Sequence, residues 1–380
     1  MTMLTEEQRL IVETARSFAR ERLAPHAADW DREGRLPPEI LRELGGLGFL
    51  GMTVAPEWGG AGTDHVAYAA TLMEIAAGDG SVSTIMSVQN APVCAVLAAY
   101  GSDAQKERWL RPLASGEIIG AFALTEPQAG SDAASLRTRA PRRGDSYTID
   151  GAKQFISSGS VATVAIVFAV TDPAAGKRGI SAFVVPTDAR GYVVSRIEEK
   201  LGQKASDTCA LAFEGLEVPM ENRLGEEGEG LKIALSSLEQ GRIGIAAQSV
   251  GMATAALDYA VGYAKERQQF GKPIIEHQAV AFRLAELATR LEAARQLVLH
   301  AARLRDTGEP CLKEACMAKL FASEAAEAVC SGAIQTLGGY GYLKDYPVER
   351  IYRDVRVCQI YEGTSDVQKL IIARQLAGAA

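Results

Sequence analysis

The 380-residue sequence lacks an apolar run of the roughly 20 residues that a membrane-spanning helix needs. Its first ten residues, MTMLTEEQRL, are polar and acidic, whereas a secretory signal would be basic and then apolar. Both absences predict an intracellular protein that is not embedded in a membrane, and we expect it in the cytoplasm. The apolar content of 47% supplies ample material for a large buried core.

The sequence also lacks the cysteine spacing of a metal or disulfide site. There is no CxxC pair and no histidine at zinc-finger spacing, so we expect reduced, structural cysteines and no metal. Concentrated positive charge is missing as well, because the formal net charge is −7 and the calculated pI is about 5.4. A nucleic-acid partner requires a basic face. Any anionic ligand must therefore be bound locally, by helix N-termini or a few arginines.

The hydrophobic periodicity divides the chain into three regions. Residues 1–115 and 226–380 repeat apolar residues every three to four positions, which is typical of packed helices. Residues 116–225 contain short β-like runs separated by turns such as PRRG and PTD. The pattern predicts a mostly helical α+β protein, with a helical domain, a middle antiparallel β domain and a C-terminal helical bundle.

Two segments of the β region carry polar groups that could meet a ligand. AFALTEPQAGSD leaves a predicted strand and exposes Thr125 and Ser131 around a glycine-containing turn. An ordinary exit from a strand gives the same pattern. In GAKQFISSGS, Phe155 and Ser157 are two residues apart on a predicted strand and so share a face. An aromatic ring beside a hydroxyl suits a flat heterocycle, but core packing is the alternative.

Three helical segments carry further candidates. LEQGRIGIAAQ places Glu239 and Arg242 three residues apart on an otherwise apolar helix. This spacing allows a surface ion pair, and a functional role for the two side chains is the alternative. KERQQFGKPI has Arg267 and Phe270 at a helix end, where the arginine could simply complement the helix dipole. The glycines of QTLGGYGY allow another backbone or a phosphate to approach closely. They do not form a GxGxxG fingerprint after a strand, so a Rossmann site is excluded.

The segment CQIYEGTSDVQ near the C-terminus contains the acid Glu362, and Thr364 or Ser365 can cap the helix that follows. A glutamate at a helix start is usually a solvated partner of the helix dipole. The apolar neighbours Ile360 and Tyr361 instead favour a partly buried carboxylate. Burial would raise the pKa of this carboxyl toward the range useful for a general base.

Taken in order, ALTEPQAGSD, QTLGGYGY and IYEGTS resemble the acyl-CoA dehydrogenase family, and the resemblance covers essentially the whole chain. STIMSVQN, LEQGRIGIA and IYEGTSDVQ are most similar to the short-chain, butyryl-type members. The resemblance implies an N-terminal helical domain, a middle β domain and a C-terminal four-helix bundle. It also implies an FAD cofactor held between the β domain and the bundle.

The resemblance also assigns residues to the cofactor and the ligand. Contacts with FAD within one subunit are implied for Phe122, Leu124, Thr125, Gly130, Ser131, Phe155 and Ser157. Contacts with the FAD of a neighbouring subunit, and hence an oligomer such as a homotetramer built as a dimer of dimers, are implied for Arg267, Phe270, Gln278, Gln335, Gly338 and Gly339. Thr364 and Asp366 would hold the adenosine and diphosphate side, although many members have glutamine or glutamate at position 366. The thioester ligand would be bound by Ser131, Glu239, Arg242 and Gly363.

The implied reaction is α,β-dehydrogenation of an acyl-CoA to the trans-2-enoyl-CoA, a step of fatty acid β-oxidation. Glu362 would take the α-proton while the β-hydrogen passes as hydride to flavin N5. Some relatives place the base on the helix that carries LEQGR, but Gly241 occupies that position here and cannot serve. The implied electron acceptor is electron-transferring flavoprotein.

Two other functions fit the same resemblance. An acyl-CoA oxidase would pass the electrons to oxygen instead. A non-enzymatic binder on this scaffold would bind DNA through a basic surface, which this acidic chain lacks. Residues 81–98, expected to line the acyl pocket, contain neither lysine nor arginine, so carboxylated tails are disfavoured. Butyryl, isobutyryl and 2-methylbutyryl thioesters all remain open.

Overall fold

The computed structural model describes residues 4–378, beginning with a helical region whose caps follow from the sequence. Thr5 and Gln8 form a capping box at the start of the first helix. Ser102 and Gln105 form a second capping box. The helices of this region are α1 (Glu6–Phe18), α2 (Ala27–Glu33), α3 (Pro38–Gly46), α4 (His65–Gly78), α5 (Gly80–Val88), α6 (Ala95–Tyr100), α7 (Asp103–Gln105) and α8 (Arg111–Ala114).

Two features of this region differ from the sequence-based expectation. The short helix α2 was not predicted. The helical periodicity of this region also gives no sign of the π-helical turn, Gln89–Cys94, that separates α5 from α6. Ala91 has non-helical φ and ψ within that turn, because the residue before a proline is pushed out of the α region.

The middle region contains two four-stranded sheets that pack face to face. Their strands are β1 (Gly120–Ala123), β2 (Arg142–Arg143), β3 (Ser146–Ser157), β4 (Val164–Val170), β5 (Ile180–Pro186), β6 (Tyr192–Ile197), β7 (Thr208–Pro219) and β8 (Arg223–Leu224). One sheet has the order β1-β4-β5-β8 and the other β2-β3-β7-β6. Only the β1–β4 pairing is parallel within these two sheets. The prediction of a mostly antiparallel β domain is therefore confirmed.

Long helices form the C-terminal region, as the periodicity predicts. They are α9 (Gly230–Glu266), α10 (Gln278–Asp306), α11 (Leu312–Leu337), α12 (Pro347–Val355) and α13 (Ser365–Leu376), with a small hairpin of β9 (Gln268–Gln269) and β10 (Lys272–Pro273) between α9 and α10. One buried core joins these helices to the N-terminal region. Gly251 allows the closest approach of α9 to α4, because a Cβ there would lie 2.1 Å from the Met73 carbonyl oxygen.

One segment of the described chain, Gly80–Tyr100, has the length and mean hydropathy of a membrane span, at 21 residues and 1.4. However, 83% of its most apolar window is buried inside the protein. A core helix meets the same criterion, so the segment is only weak support for a membrane.

Candidate active site

Glu362 lies in the tight turn between α12 and α13. Its backbone has a φ of +52°, and Gly363 follows with a φ of +93°. Three contacts fix this turn: the Tyr361 hydroxyl donates to Gln248 Oε1 on α9, Thr364 caps α13, and Gln368 Nε2 donates to the carbonyls of Glu362 and Gly363. A positive φ costs a non-glycine residue about 1–3 kcal/mol, so the fold holds Glu362 in place against this strain.

Glu362 is half-buried and its Oε2 atom is enclosed, which confirms the partly buried carboxylate predicted from its apolar neighbours. Its Oε2 atom has no hydrogen-bond partner among the described residues. Burial raises the pKa of Glu362 to about 7, and the positive charges of Lys319 and Arg242 limit that rise. Such a pKa leaves a large fraction of the group ionised near neutral pH while keeping it basic enough to accept a proton.

Gly241 on α9 provides the space that the carboxylate occupies. A Cβ at this position would lie 1.9 Å from Glu362 Oε2, far inside van der Waals contact. The base therefore packs directly against the backbone of α9. Gly241 occupies the position at which some relatives place the base. Here it has a second role, because any larger side chain at this position would displace Glu362.

One turn further along α9, Gly244 opens a second space next to two buried hydroxyls. A Cβ on Gly244 would lie 2.8 Å from Ser87 Oγ and 2.9 Å from Tyr68 Oη. Neither hydroxyl has a hydrogen-bond partner within the part of the chain that the structure describes. Gly241 and Gly244 face the same side of the helix. The Tyr68 and Ser87 hydroxyls of α4 and α5 thus pack against the bare backbone of α9, one turn from the Glu362 carboxylate.

The ion pair considered for Glu239 and Arg242 does not form, so that alternative is wrong. Glu239 accepts a hydrogen bond from Arg305 Nη1 at 2.9 Å and one from Cys311 Sγ at 3.2 Å. Arg242 is only 4% exposed, and its Nε atom has no partner among residues 4–378. The helical spacing permitted a pair, but packing turns the arginine inward, toward the Glu362 carboxylate.

A buried ion pair joins the two candidate segments of the β domain. Lys153 Nζ donates to Glu126 Oε1 at 2.8 Å and to the Leu124 carbonyl at 3.0 Å. Next to it, the Gln154 backbone N–H donates to the Thr125 carbonyl oxygen at 2.9 Å. The TEPQAGSD loop and the end of β3 are therefore held side by side, as a shared cofactor site requires.

The predicted alternation of Phe155 and Ser157 along a regular strand is wrong in detail. The register of β3 shifts between Lys153 and Ile156, and Phe155 has a φ of +60° at this bulge. A bulge breaks the two-residue repeat of a strand and redirects a side chain. The Phe155 ring is consequently 65% exposed, so it is not a core residue and is free to meet a ligand.

The other candidate residues of the AFALTEPQAGSD segment differ in exposure. Phe122 packs on the Phe168 ring at a centroid distance of 4.9 Å, and Leu124 is buried. Gly130 and Ser131 are exposed, and a Cβ on Gly130 would meet no atom within 4 Å. The tip of the loop is therefore exposed, whereas the strand residues that lead into it are part of the core.

A second surface combines the end of α9 with the glycine-rich turn after α11. A cleft of about 420 Å³ is lined in part by Arg267, Gly338 and Gly339, and the Arg267 guanidinium lies 5.6 Å from the Tyr340 ring centroid. Phe270 beside it is 94% exposed. This surface lies roughly 39 Å along α9 from Gly241, at 1.5 Å per residue.

The other predicted cofactor residues lie at helix ends. Gln278 is the first residue of α10, and Gln335 is exposed in the last turn of α11. The Asp366 side chain is 93% exposed in the first turn of α13. None of these three side chains forms a hydrogen bond or an ion pair with the Glu362 carboxylate among the described residues.

Several buried groups beside the base were not predicted. Tyr68, Ser87 and Gly244 belong to apolar helices, where periodicity alone indicates core packing. Lys319 gives a clearer signal in the sequence, because it interrupts the run ACMAKLFA. A charged residue inside an otherwise apolar helical face is rarely buried without a specific partner.

The fold and this site define an acyl-CoA dehydrogenase. Family models match the N-terminal domain over residues 5–117, the middle domain over 121–216 and the C-terminal domain over 228–377. The chain therefore belongs to the acyl-CoA dehydrogenase family, whose members are flavin-dependent oxidoreductases.

The chain is similar to short-chain members in particular. It is 47% identical to an acyl-CoA dehydrogenase of Bacillus subtilis, covering 99% of both chains. It is also 47% identical to the human mitochondrial short-chain specific acyl-CoA dehydrogenase, over 98% of this chain and 90% of that protein. The butyryl-CoA dehydrogenase of Megasphaera elsdenii has a similar structure, with a TM-score of 0.95, 41% identity, and coverage of 98% and 99%.

Two further solved structures concern the cofactor and the electron acceptor. A glutaryl-CoA dehydrogenase of Mycobacterium smegmatis in complex with FADH2 matches with a TM-score of 0.94 at 35% identity, covering 99% of this chain and 96% of that one. A chain from work on the electron transferring flavoprotein of Acidaminococcus fermentans and flavin-based electron bifurcation matches with a TM-score of 0.96 at 43% identity, covering 98% of each chain.

Proposed function

We propose that the protein catalyses FAD-dependent α,β-dehydrogenation of a short-chain acyl-CoA, with Glu362 as the base that removes the α-proton. The observation that carries this proposal is the buried Glu362 carboxylate. Its Oε2 atom is unpartnered among the described residues and lies in the space left by Gly241. An ordinary structural glutamate would be either solvated or fully hydrogen-bonded.

The residues of the TEPQAGSD loop and the β3 bulge fit an FAD cofactor. The open tip at Gly130 and Ser131 and the exposed Phe155 ring provide hydrogen-bonding groups and a flat apolar surface. When bound, FAD supplies the acceptor for the hydride that leaves the β-carbon. The residues proposed to hold it from this subunit are Phe122, Leu124, Thr125, Gly130, Ser131, Phe155, Ser157, Thr364 and Asp366.

The turn at Glu362 supplies two functions to the substrate. Its ionised carboxylate accepts the α-proton of the thioester. Its backbone N–H donates to no other group among residues 4–378, so it is available to the thioester oxygen. An oriented N–H stabilises the negative charge that develops on this oxygen as the proton leaves. The buried surroundings strengthen both interactions, because water is excluded.

The thioester ligand is proposed to contact Ser131, Glu239, Arg242 and Gly363. Arg242 presents an unpartnered Nε near the base, whereas Glu239 is already bonded to Arg305, so the arginine is the stronger candidate. The acyl chain would enter the space between α4, α5 and α9. No lysine or arginine occurs in residues 81–98, which favours an uncharged acyl tail.

We further propose a homotetramer and electron-transferring flavoprotein as the acceptor. Arg267, Phe270, Gln278, Gln335, Gly338 and Gly339 would contact the FAD of a neighbouring subunit. Their distance along α9 from Gly241 supports this assignment, since one chain does not bring both surfaces to the same flavin. The acceptor is identified by comparing flavoprotein reduction with peroxide formation in one assay, and peroxide as the main product would indicate an oxidase.

The test is the variant Glu362→Gln in the FAD-loaded protein. We expect bleaching of the flavin by butyryl-CoA to slow by about 10³-fold, since a general base contributes typically 10²–10⁴-fold. The FAD content should equal that of the unmodified protein. Rapid bleaching by the variant would overturn the assignment of the base. A panel of acyl-CoAs measured in the same way defines the chain length and branching.

A further inference from the structure

Lys319 on α11 is fully buried and lies behind the catalytic turn. Its side chain is 0% exposed, and its Nζ atom donates to the Gly363 carbonyl oxygen at 2.5 Å. Burying an ammonium group is costly unless it is paired or hydrogen-bonded. A methionine of similar volume would pack in this helix at lower cost, so the retained charge calls for a functional reason.

The carbonyls of the catalytic turn have two side-chain donors. Gln368, itself buried, donates to Glu362 O at 3.3 Å and to Gly363 O at 2.9 Å. Lys319 donates to the same Gly363 oxygen from the opposite element, α11. With φ values of +52° and +93°, this turn has no regular secondary structure to hold it. Together with the Tyr361–Gln248 hydrogen bond and the Thr364 cap, the two donors therefore hold the Glu362 carboxylate and its backbone N–H in place.

Lys319 also differs from the other buried lysine. Lys153 is bonded directly to the carboxylate of Glu126. Lys319 is instead bonded to the backbone carbonyl of Gly363, the residue after Glu362, and not to the Glu362 carboxylate. The Glu362 carboxylate thus remains free to accept a proton while a cation lies close behind it. A direct salt bridge would instead hold the carboxylate ionised and occupy its lone pairs.

We propose that Lys319 is a positioning residue for the Glu362 base, one that fixes the turn through the Gly363 carbonyl and keeps a positive charge beside the carboxylate without bonding to it. This inference rests on the proposed role of Glu362. It adds a residue that acts on the base through the turn and through its charge.

The charges around the turn agree with this role. Burial raises the pKa of Glu362, and Lys319 is the first opposing charge. Burial in turn lowers the pKa of Lys319 to about 8, while the Cys358 and Glu362 side chains oppose that change. The titratable and charged groups that face this pair from the neighbouring elements are Tyr68 on α4, Arg242 on α9, Cys316 on α11 and Cys358 in the segment before the turn.

The experiment measures the rate of flavin reduction by butyryl-CoA against pH in the FAD-loaded protein and its variants. Lys319→Met removes both the charge and the donor. We expect the pH midpoint of its rising limb to move upward by about one unit, as expected when a nearby opposite charge is lost. At pH 7 the rate should fall about tenfold or more, and the difference should be largest below pH 8, where Lys319 is protonated.

Lys319→Gln separates the two parts of the role, because the amide can donate to the Gly363 carbonyl but carries no charge. It should show the same upward shift in pH midpoint and a higher limiting rate than Lys319→Met. The matched control is Lys313→Met, which removes a partly exposed lysine two turns earlier on α11 that is paired with Glu314. Its profile should equal that of the unmodified protein.

Either variant that is folded and FAD-loaded but keeps the original pH midpoint would overturn the inference. If Lys319→Met does not fold, the midpoint of Lys319→Gln decides. Failure of the proposed function is recognised separately, since the unmodified protein itself would then show no reduction by any acyl-CoA of the panel.

Discussion

Two buried glutamates of this protein have opposite pKa shifts. In the β domain, burial of Glu126 is outweighed by Lys153 and by the backbone amides of Arg137 and Thr138, so the pKa of this carboxyl lies below its ordinary value. In the catalytic turn, burial of Glu362 is opposed only by charges that do not bond to it, and its pKa rises to about 7. Hydrogen bonding, rather than burial alone, separates the two carboxylates.

The comparison teaches how one fold makes a structural acid and a reactive one. Glu126 has all its oxygens engaged and secures the loop that would face FAD. Glu362 has an oxygen without a partner among the described residues, and the fold leaves the helix backbone bare at Gly241 to accommodate it. In this protein, the reactive carboxylate combines an oxygen that lacks a hydrogen bond, Glu362 Oε2, with a neighbouring residue that lacks a side chain, Gly241.

The largest effect is expected when the structural pair is broken. Lys153→Met leaves Glu126 buried without its cation, and we expect a loss of about 3–5 kcal/mol in the free energy of unfolding. FAD content should fall as well, because the Leu124–Glu126 segment loses its anchor. Chemical denaturation and flavin absorbance measure both. The double variant Lys153→Met/Glu126→Gln should lose less, and an equal loss would show that the pairing itself is unimportant.

A methyl group at Gly241 tests the reactive site. The Cβ introduced by Gly241→Ala would overlap Glu362 Oε2, so the carboxylate must shift. We expect flavin reduction to slow by about 10²-fold, since a displacement of about 1 Å has such an effect. Gly262→Ala on the same helix is the control, because a Cβ there meets no atom within 4 Å. Equal rates in both variants would contradict the placement of the base.

Of the two glutamates, Glu362 should determine the pH dependence of the rate. With a pKa of about 7, the ionised fraction rises about tenfold between pH 6 and pH 8. The rate of flavin reduction should rise with it. Glu126 stays ionised over this range, since its pKa is below the ordinary value. A rate that is flat from pH 6 to pH 8 would show that Glu362 is already ionised at pH 6.

The same carboxyl also affects stability. The folded-state pKa of Glu362 exceeds its unfolded value, so the protonated group stabilises the fold at low pH, and this contribution is lost as the pH rises through about 7. Glu362→Gln has no charge to bury. It should therefore melt higher than the unmodified protein at pH 8 and at nearly the same temperature at pH 5. A lower melting temperature at pH 8 would indicate a carboxylate stabilised by the fold.

Much of the architecture follows from local patterns. The capping residues Thr5 and Ser102 begin the helices that they predict, and the change from helical to β periodicity near residue 116 agrees with the position of β1. These features depend on neighbouring residues in the chain, which is why spacing reveals them. The bulge at Phe155 was not predicted, because it depends on the register against β7.

The order of helices and strands, the family, and Glu362 as the candidate base all follow from the amino-acid sequence. The surroundings of that base follow from how the chain packs. Gly241, Lys319 and Arg242 come from two different helices, and nothing in their local spacing indicates that they meet at one carboxylate. Burial and missing hydrogen bonds arise from packing between distant segments, so the property that makes Glu362 reactive is set by the fold.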